Sequence, residues 1–159
     1  MEFAILTAAR TGEVIGAFWG EFDFAKQLWT IPAERMKARR EHRVPLSGRA
    51  ISILEKLEPG DAGEFVFPGA KKGKPLSNMA MLALLRRMER SDLTVHGFRS
   101  TFSDWAAETT NFPREVVEMA LAHVIENKVE AAYRRGDLFE KRRALMDQWA
   151  GFGQTPAGS

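Results

Sequence analysis

Hydrophobic positions along the chain follow either a helical period or the alternation typical of strands, and these two patterns predict where helices and strands lie. At the N-terminus, an apolar pattern predicts a helix that is broken at Thr11 and Gly12 and is followed by a short helix over residues 13–17. Aromatic and β-branched residues separated by turns then predict a small antiparallel sheet. Its three strands are expected at residues 19–22, 28–31 and 42–44.

After Pro45 the pattern is mostly helical. A turn at Pro59 and Gly60 closes the first helix of this part, and a brief strand is predicted at residues 65–67. Ser77 caps the next helix, and Pro113 suits the first turn of a later one. Further helices are predicted over residues 77–90, 98–109, 113–123, 126–133 and 138–149. The fold class is therefore α+β and mainly helical, a helical bundle with a three-stranded antiparallel sheet near the N-terminal half.

The composition narrows the class of protein without identifying a function. With 159 residues, 45% of them hydrophobic and 28% charged, the chain matches one globular domain and not a disordered one. It has no cysteine, which excludes disulfides, thiolate metal sites and a cysteine nucleophile. Its apolar stretches fall far short of the roughly 20 residues that span a bilayer. We expect a soluble cytoplasmic protein with no metal or cofactor.

The two ends of the chain differ in character. The N-terminus begins inside an apolar helical pattern without a capping residue, so we expect a fragment of a longer protein. Residues 154–159 form a polar tail containing Gly and Pro, which we expect to be flexible. The predicted domain therefore covers residues 1–153.

Charge is more informative in its distribution than in its sum, because the formal net charge is only +2. One basic cluster alone is usually a solvated face, but three clusters together favour a polyanionic partner. The first cluster contains Arg35, Lys37, Arg39, Arg40, Arg43 and Arg49, the second Lys71, Lys72 and Lys74, and the third Arg134, Arg135, Lys141, Arg142 and Arg143. The first lies mainly on the link between the second and third predicted strands, which places Lys37 on a hairpin tip.

The glycine-rich loop at residues 69–75 is similar to a phosphate-binding loop but does not match one. That motif requires G-x-x-x-x-G-K-[ST]. Here the spacing is one residue short, and Pro75 occupies the position that must offer a hydroxyl group to magnesium. Nucleotide hydrolysis is therefore disfavoured.

Several polar residues are candidates for chemistry, although each also has an ordinary structural explanation. His96 and Arg99 are three residues apart, which places both on one helical face where they can reach a single anion. They are equally compatible with a helix cap and a surface cation. His123 ends an apolar helix, where the helix dipole favours a histidine cap.

Tyr133 and Arg10 complete this set of candidates. Tyr133 is the one tyrosine of the chain and precedes Arg134 and Arg135, whose charges make a phenol easier to deprotonate. A tyrosine late in an amphipathic helix is, however, usually a packing residue. Arg10 ends an apolar helix and, taken alone, is explained as a surface cation.

In chain order, Arg10, Lys37, His96-x-x-Arg99, His123 and Tyr133 match the set found in tyrosine recombinases, the phage-type integrases. The sequence resembles their catalytic domain over about residues 3–152. The segments LTAARTGE, WTIPAERMK, HGFR, LAH and AAY around these positions resemble integrases of P4-like prophages and genomic islands.

The resemblance implies a role for each residue in DNA strand exchange. Tyr133 would be the nucleophile that forms a 3′-phosphotyrosyl bond, and Arg10 and Arg99 would hold the phosphate. Lys37 would donate the proton to the departing 5′-oxygen, and His96 and His123 would assist. Glu13 would orient the site, and no step needs a metal. DNA contacts are expected from Arg35, Arg39, Arg40, Lys71, Lys72, Lys74 and Arg134.

The resemblance also implies partners. These are double-stranded DNA attachment sites and, in the full-length protein, a homotetramer on DNA together with excision or host DNA-bending proteins. The fragment itself is expected to be a monomer, without a membrane partner, in the bacterial nucleoid. The N-terminal core-binding and arm-binding parts of such proteins are absent from this sequence.

Three competing classes remain open at the level of sequence. A type IB topoisomerase shares the same catalytic logic but relaxes single circles, whereas a recombinase joins paired sites. A DNA-binding module without catalysis would form no covalent adduct with DNA. A structural helical domain is compatible with each residue taken alone, but it does not account for six positions in order.

Overall fold

A computed structural model describes residues 1–123 and 136–153. The chain begins with helix α1 (Glu2–Thr7), which ends at Ala8 in the left-handed conformation, and helix α2 (Thr11–Ile15) follows. Thr11 and Gly12 thus lie inside the second helix, so the predicted break at these residues is wrong. The chain turns at Ala8 instead, because its left-handed backbone cannot continue a helix.

The sheet has three antiparallel strands in the order β1 (Phe22–Asp23), β2 (Leu28–Ile31) and β3 (His42–Pro45). Strand β1 is shorter than predicted, because Trp19–Glu21 form a 3-10 turn. Phe22 lies opposite Trp29 across the first strand pair, and their rings stack with centroids 5.5 Å apart. Such cross-strand pairs stabilise a register and explain why these two short strands stay aligned.

The rest of the described chain is mainly helical. Its helices are α3 (Gly48–Glu55), α4 (Ala80–Arg87), α5 (Gly97–Thr109), α6 (Arg114–Ala120) and α7 (Phe139–Phe152). Within the described ranges, no helix is long and apolar enough to cross a membrane. The helix predicted over residues 126–133 and the tail at 154–159 lie outside the described residues.

Several helix boundaries and one further strand differ from the prediction. The predicted strand at 65–67 is reduced to an isolated bridge between Phe65 and Phe18. Ser77 accepts a hydrogen bond from the Met79 amide at 3.2 Å, but α4 begins only at Ala80 and ends three residues before the predicted end. Helix α6 starts after Pro113 and ends three residues early, and α7 runs three residues further than expected.

The glycine-rich loop is a tight turn rather than a phosphate cradle. The Gly69 amide donates to the Lys74 carbonyl at 2.8 Å, and the Lys74 amide donates to the Lys71 carbonyl at 3.1 Å. An added side chain at Gly69 would come within 2.3 Å of the Pro75 carbonyl oxygen, so only glycine fits there. These amides are already engaged, which agrees with the mismatch in the motif.

Two hydrophobic clusters form the interior. One contains the sheet, with Trp29 and Ile31 fully buried, and the other joins α5, α6 and α7 around Phe102 and Leu145. Helix α7 packs on its own chain, and Trp149 donates a hydrogen bond from Nε1 to the Ile5 carbonyl at 2.8 Å. Helix α7, near the C-terminal end of the described chain, thereby packs against α1 at the N-terminal end.

Candidate functional site

Arg99 lies at the junction of the two hydrophobic clusters and connects two turns of the backbone. Its Nη1 donates to the carbonyl oxygen of Ala8, and its Nη2 donates to that of Leu121 at 2.7 Å. Ala8 and Ala122 both have positive φ angles, of 49° and 51°. Such a conformation costs a non-glycine residue about 1 kcal/mol or more, and it persists where surrounding contacts hold it.

These two turns carry other candidate residues. Arg10 comes two residues after Ala8, and His123 comes two residues after Leu121. A single buried guanidinium group therefore ties together the two segments that bear Arg10 and His123. The residues are far apart in sequence, and the fold brings their segments to one place.

Arg99 is only 5% exposed, yet one of its donors is unused. Among the described residues, its Nε has no hydrogen-bond partner. The pKa of Arg99 is lowered to about 10, mainly by burial and in part by the charge of Arg10, while the carboxylate of Glu13 opposes both effects. The arginines are thus close enough to repel each other, which is the electrostatic state expected of a site built to receive an anion.

Arg10 is held by Glu13 from the first turn of helix α2. Glu13 accepts the Arg10 backbone amide at 2.7 Å and the Arg10 Nη1 at 2.8 Å. The carboxylate is 6% exposed, whereas the arginine side chain is 32% exposed. The buried carboxylate therefore fixes the more exposed guanidinium, which agrees with an orienting role and leaves part of Arg10 open to solvent.

The remaining described candidates are exposed at the surface. His96 is exposed and immediately precedes α5. His123 is exposed beyond the end of α6, and its Nδ1 lies 2.7 Å from Glu118 Oε2. Lys37 is exposed on the link between β2 and β3, as predicted, next to the buried Met36. Tyr133 and Arg134 lie outside the described residues.

The basic clusters divide into free and engaged side chains. Arg39, Arg40, Lys71, Lys72 and Lys74 are all exposed. Arg35 differs from them because it pairs with Glu21 and donates to the carbonyl of Glu13. The Arg35 guanidinium thus binds the backbone at Glu13. It is not an exposed cation, although the charge pattern of the sequence predicts one.

The described residues of the third cluster are divided in the same way, because Lys141 is exposed whereas Arg142 is buried and Arg143 is half-buried. Arg142 is 1% exposed, and Arg143 is only 25% exposed in its side chain. In the first cluster, Arg49 pairs with Glu2 at 2.7 Å. Charge clustering in the sequence therefore overstates the number of free cations.

Sequence reasoning did not select His42, because this residue belongs to no spacing motif. It is half-buried on β3, and its pKa is lowered to about 4. Burial is the main cause, and the nearby charge of Arg142 adds to it. Glu13 and a hydrogen bond to the backbone of Ala120 raise the pKa in part, and Arg10 lowers it. The ring is thus a neutral group beside the Arg10 and Glu13 pair.

The class of fold is that of phage integrases. The architecture matches a solved structure, an integrase from mycobacterium phage Brujita, with a TM-score of 0.70 at 18% sequence identity. The match covers 92% of this chain and 49% of that one. At this identity the likeness shows the fold alone, and it confirms the predicted class of a helical domain with a small antiparallel sheet.

Sequence comparisons identify the family. The model of the Phage integrase family matches residues 1–138, and the chain belongs to this family. It is 44% identical over 149 residues to the prophage integrase IntA of Escherichia coli K12, covering 92% of this chain and 36% of that protein. It is 33% identical over 171 residues to the integrase of Enterobacteria phage P4, covering 96% and 39%. The resemblance inferred from the motifs is confirmed, and the chain spans little more than a third of these relatives.

Proposed function

We propose that this chain is the catalytic part of a site-specific DNA recombinase that integrates or excises mobile DNA. The observation that carries the proposal is the position of Arg99, whose guanidinium binds the backbone beside Arg10 and beside His123. Two arginines with coupled charges and a nearby histidine match the demands of phosphoryl transfer, in which negative charge builds on the nonbridging oxygens. The names of the relatives support the same activity.

In the proposed reaction, the oxygen of Tyr133 attacks the phosphorus of the DNA backbone. A phosphorus–oxygen bond to tyrosine forms as the bond to the 5′-oxygen breaks, and Lys37 gives that oxygen its proton. A 5′-hydroxyl of the partner strand later attacks the phosphotyrosine, and the phenol leaves again. The number of phosphate ester bonds is conserved, so no external energy source is required. Each step is assigned to a side chain, and none to a metal or cofactor.

The other side chains of the site bind and orient in this scheme. Arg10 and Arg99 neutralise the phosphate, and Glu13 keeps Arg10 in place. His96 and His123 donate hydrogen bonds to phosphate oxygens. These roles place charged donors where the transition state carries its charge, which is where they contribute most to the rate.

DNA contacts are proposed for the exposed basic residues, while Arg35 is left out because Glu21 and the Glu13 carbonyl engage it. The remaining set consists of Arg39, Arg40, Lys71, Lys72, Lys74 and Arg134. Residues 1–153 would form the catalytic unit and 154–159 a tail. Core-binding and arm-binding parts of the whole protein, assembly as a tetramer on paired attachment sites, accessory proteins and association with the nucleoid also belong to the proposal.

A nicked half-site substrate tests the chemistry directly. When cleavage releases a short strand, religation is prevented and a covalent protein–DNA adduct accumulates. The chain should form this adduct through a 3′-phosphotyrosine, and Tyr133→Phe should form none while binding DNA as before. An adduct in the phenylalanine variant contradicts the proposal, because the chain has no second tyrosine. Joining of paired sites, compared with relaxation of one circle, separates a recombinase from a topoisomerase.

A further inference from the structure

A charge cluster around the buried Arg142 lies where helix α7 begins, outside the site described above. Arg142 donates from Nε to the Asp137 carbonyl and from Nη2 to Asp137 Oδ2, each at 2.7 Å. Its Nη1 donates to the carbonyl of Arg43 on strand β3. The same carboxylate oxygen of Asp137 lies 3.2 Å from Arg43 Nη1. One acidic residue thus holds two arginines, one from each of two elements.

An aromatic ring completes the cluster. Phe139 lies under the guanidinium groups of Arg43, Arg143 and Arg142, with the central carbons 4.2, 4.9 and 5.6 Å from the ring centroid. Arg143 also donates to the Lys26 carbonyl at 2.9 Å. Contacts between cations and the face of an aromatic ring are stabilising, and the stabilisation is larger when the groups are withdrawn from water. The first turn of α7 is therefore fastened to the sheet side of the molecule.

Among the described residues, Asp137 is the acid that pairs with Arg142, whose side chain is 2% exposed. A buried guanidinium is costly without a charged partner, so loss of this carboxylate would weaken the attachment of the turn that precedes α7. Burial lowers the pKa of Arg142, and the charge of Asp137 opposes that effect. The carboxylate thus supplies the charged part of the attachment, and the backbone carbonyls of Asp137 and Arg43 supply the rest.

The attachment point is close in sequence to the proposed nucleophile. Asp137 follows Tyr133 by four residues, and four residues of extended chain span at most about 14 Å. On the other side, His123 precedes Tyr133 by ten residues, which allow about 35 Å. The shorter link therefore limits where Tyr133 can lie. This shorter link is anchored at Asp137, beside strand β3. The same strand carries His42, whose pKa is affected by the charges of Arg10 and Glu13.

We propose that Asp137 is a positioning residue for the nucleophile, anchoring the chain after Tyr133 to strand β3 through Arg142 and Arg43. The inference rests on the proposed function, because it assigns to Tyr133 the attacking oxygen. Asp137 itself touches neither DNA nor the reacting atoms. Its contribution is to limit the positions that the tyrosine can occupy near the phosphate-binding arginines, and small displacements of a reacting group have large effects on rate.

The test compares Asp137→Ala with a matched control, Glu140→Ala, which also removes one carboxylate but three residues further along the chain. Glu140 is 82% exposed and reaches only Arg143, at 3.6 Å. At saturating DNA, Asp137→Ala should slow adduct formation by about 10 to 100-fold, the loss expected from a misplacement of about 1 Å. DNA affinity and the melting temperature of Glu140→Ala should match wild type. Asp137→Asn keeps an oxygen acceptor and should recover most of the rate.

A spectroscopic measurement reports on the tyrosine without requiring cleavage. Because Tyr133 is the one tyrosine, incorporation of 3-fluorotyrosine gives a single fluorine resonance. With saturating duplex DNA, Asp137→Ala should move this resonance towards its position in denatured protein, and Glu140→Ala should not. Circular dichroism of the same samples establishes that each variant is folded, and Asp137→Asn serves if the alanine variant is not.

The outcomes separate this inference from the proposed function. Adduct formation at the wild-type rate in Asp137→Ala, an equal loss in Glu140→Ala, or an unchanged fluorine resonance each overturns the positioning role. A wild-type chain that forms no adduct through Tyr133 overturns the proposed function instead. In that case the fluorine resonance still decides whether Asp137 anchors the segment.

Discussion

At the scale of the residue, Arg99 acts through its backbone contacts as well as through its charge. Helical spacing predicts that His96 and Arg99 share a face and reach one anion. In the fold, Arg99 points into the junction of the two hydrophobic clusters, while His96 is exposed. The arginine therefore has two roles, and both depend on its forked donors, which lysine lacks although it carries the same charge.

We predict that Arg99→Lys lowers both the stability of the fold and the rate of adduct formation. One ammonium group cannot replace the hydrogen bonds to Ala8 and Leu121, and a lost bond to a charged group costs about 1.5–3 kcal/mol. Loss of a preorganised donor should slow adduct formation by about 10² or more. Urea denaturation and the nicked half-site assay measure the two effects.

Arg90→Lys is the matched control for this prediction. Arg90 is an exposed arginine paired with Asp92, so the same substitution should change neither quantity. Wild-type stability in Arg99→Lys would contradict the role of its backbone contacts, even if the rate fell.

His42 supplies a second prediction at this scale, a dependence of stability on pH. Its pKa in the folded chain is about 4, below the ordinary 6.5, so the unfolded chain binds the proton more readily. The stability that His42 contributes is therefore complete above pH 6.5, decreases as the pH falls, and is lost below pH 4. The shift corresponds to an upper limit of about 3 kcal/mol.

Urea denaturation at pH 7 and at pH 4.5 measures this effect. The free energy of unfolding should differ between these two pH values in the wild type, and His42→Gln should remove most of the part of this difference that His42 causes. His96→Gln is the control, because that ring is exposed and the same substitution should leave the dependence in place. An equal dependence in wild type and His42→Gln would show that the ring is not held neutral.

At the scale of the element, the link between β2 and β3 combines a fixed and a free part. Strands β2 and β3 pair from Leu28 opposite Pro45 to Ile31 opposite His42. Met36 is 4% exposed and fastens the link to the core, whereas the adjacent Lys37 is exposed. The exposed Lys37 side chain can thus move while the backbone at its base stays in place, which suits the proposed proton donor to a leaving group.

We predict that a substrate with sulfur at the bridging 5′ position rescues cleavage by Lys37→Ala. A thiolate leaves without needing a proton, so the general acid becomes dispensable for that substrate. Adduct formation on oxygen and sulfur substrates measures the effect. Arg99→Ala should gain no comparable rescue, because its loss affects the nonbridging oxygens.

Arg40→Ala serves as a neighbouring control, since it removes another exposed cation from the same link. It should react with both substrates as wild type does, apart from weaker DNA binding. Equal responses of Lys37→Ala and Arg99→Ala to sulfur would assign Lys37 to phosphate contact alone.

At the scale of the whole molecule, the distribution of free charge should determine how the chain binds DNA. The exposed lysines of the loop at 69–75 and the exposed Arg39 and Arg40 of the β2–β3 link are the cations proposed to bind phosphates. Arg35, Arg49 and Arg142 are instead engaged within the chain. Binding through phosphates releases counterions and weakens as salt rises.

We predict that DNA affinity of this chain falls steeply with salt and depends little on base sequence. Each phosphate contact contributes about −0.9 to the slope of log affinity against log salt, so replacing Lys71, Lys72 and Lys74 together by alanine should flatten the slope by up to about 2.7. Fluorescence anisotropy at several salt concentrations, with random and cognate duplexes, measures this.

Lys26→Ala is the control, because Lys26 is exposed but paired with Asp23 and lies outside the proposed contacts. It should leave the slope unchanged. An unchanged slope in the triple variant would remove the loop from the proposed DNA surface.

Local sequence patterns predicted most elements of this fold. Helical spacing located α3, α5 and α7, and the alternation of β-branched and aromatic residues located β2 and β3, because these signals depend on neighbours along the chain. Two of the misplaced boundaries are at Ala8 and Trp19. Ala8 takes a left-handed backbone conformation although alanine is a strong helix former, since the Arg99 contact to its carbonyl is made across the fold.

For the candidate site, the sequence alone determined the order and identity of the residues that match the family. It also determined the positions of the basic clusters and the mismatch of the glycine-rich loop. Only the tertiary structure decided which cations are free, because burial and ion pairing depend on residues distant in the chain, such as Glu21 for Arg35 and Asp137 for Arg142. It also brought His42 beside Arg10 and Glu13, a placement that no spacing encodes, since the strand and helix that carry them meet only when the core forms.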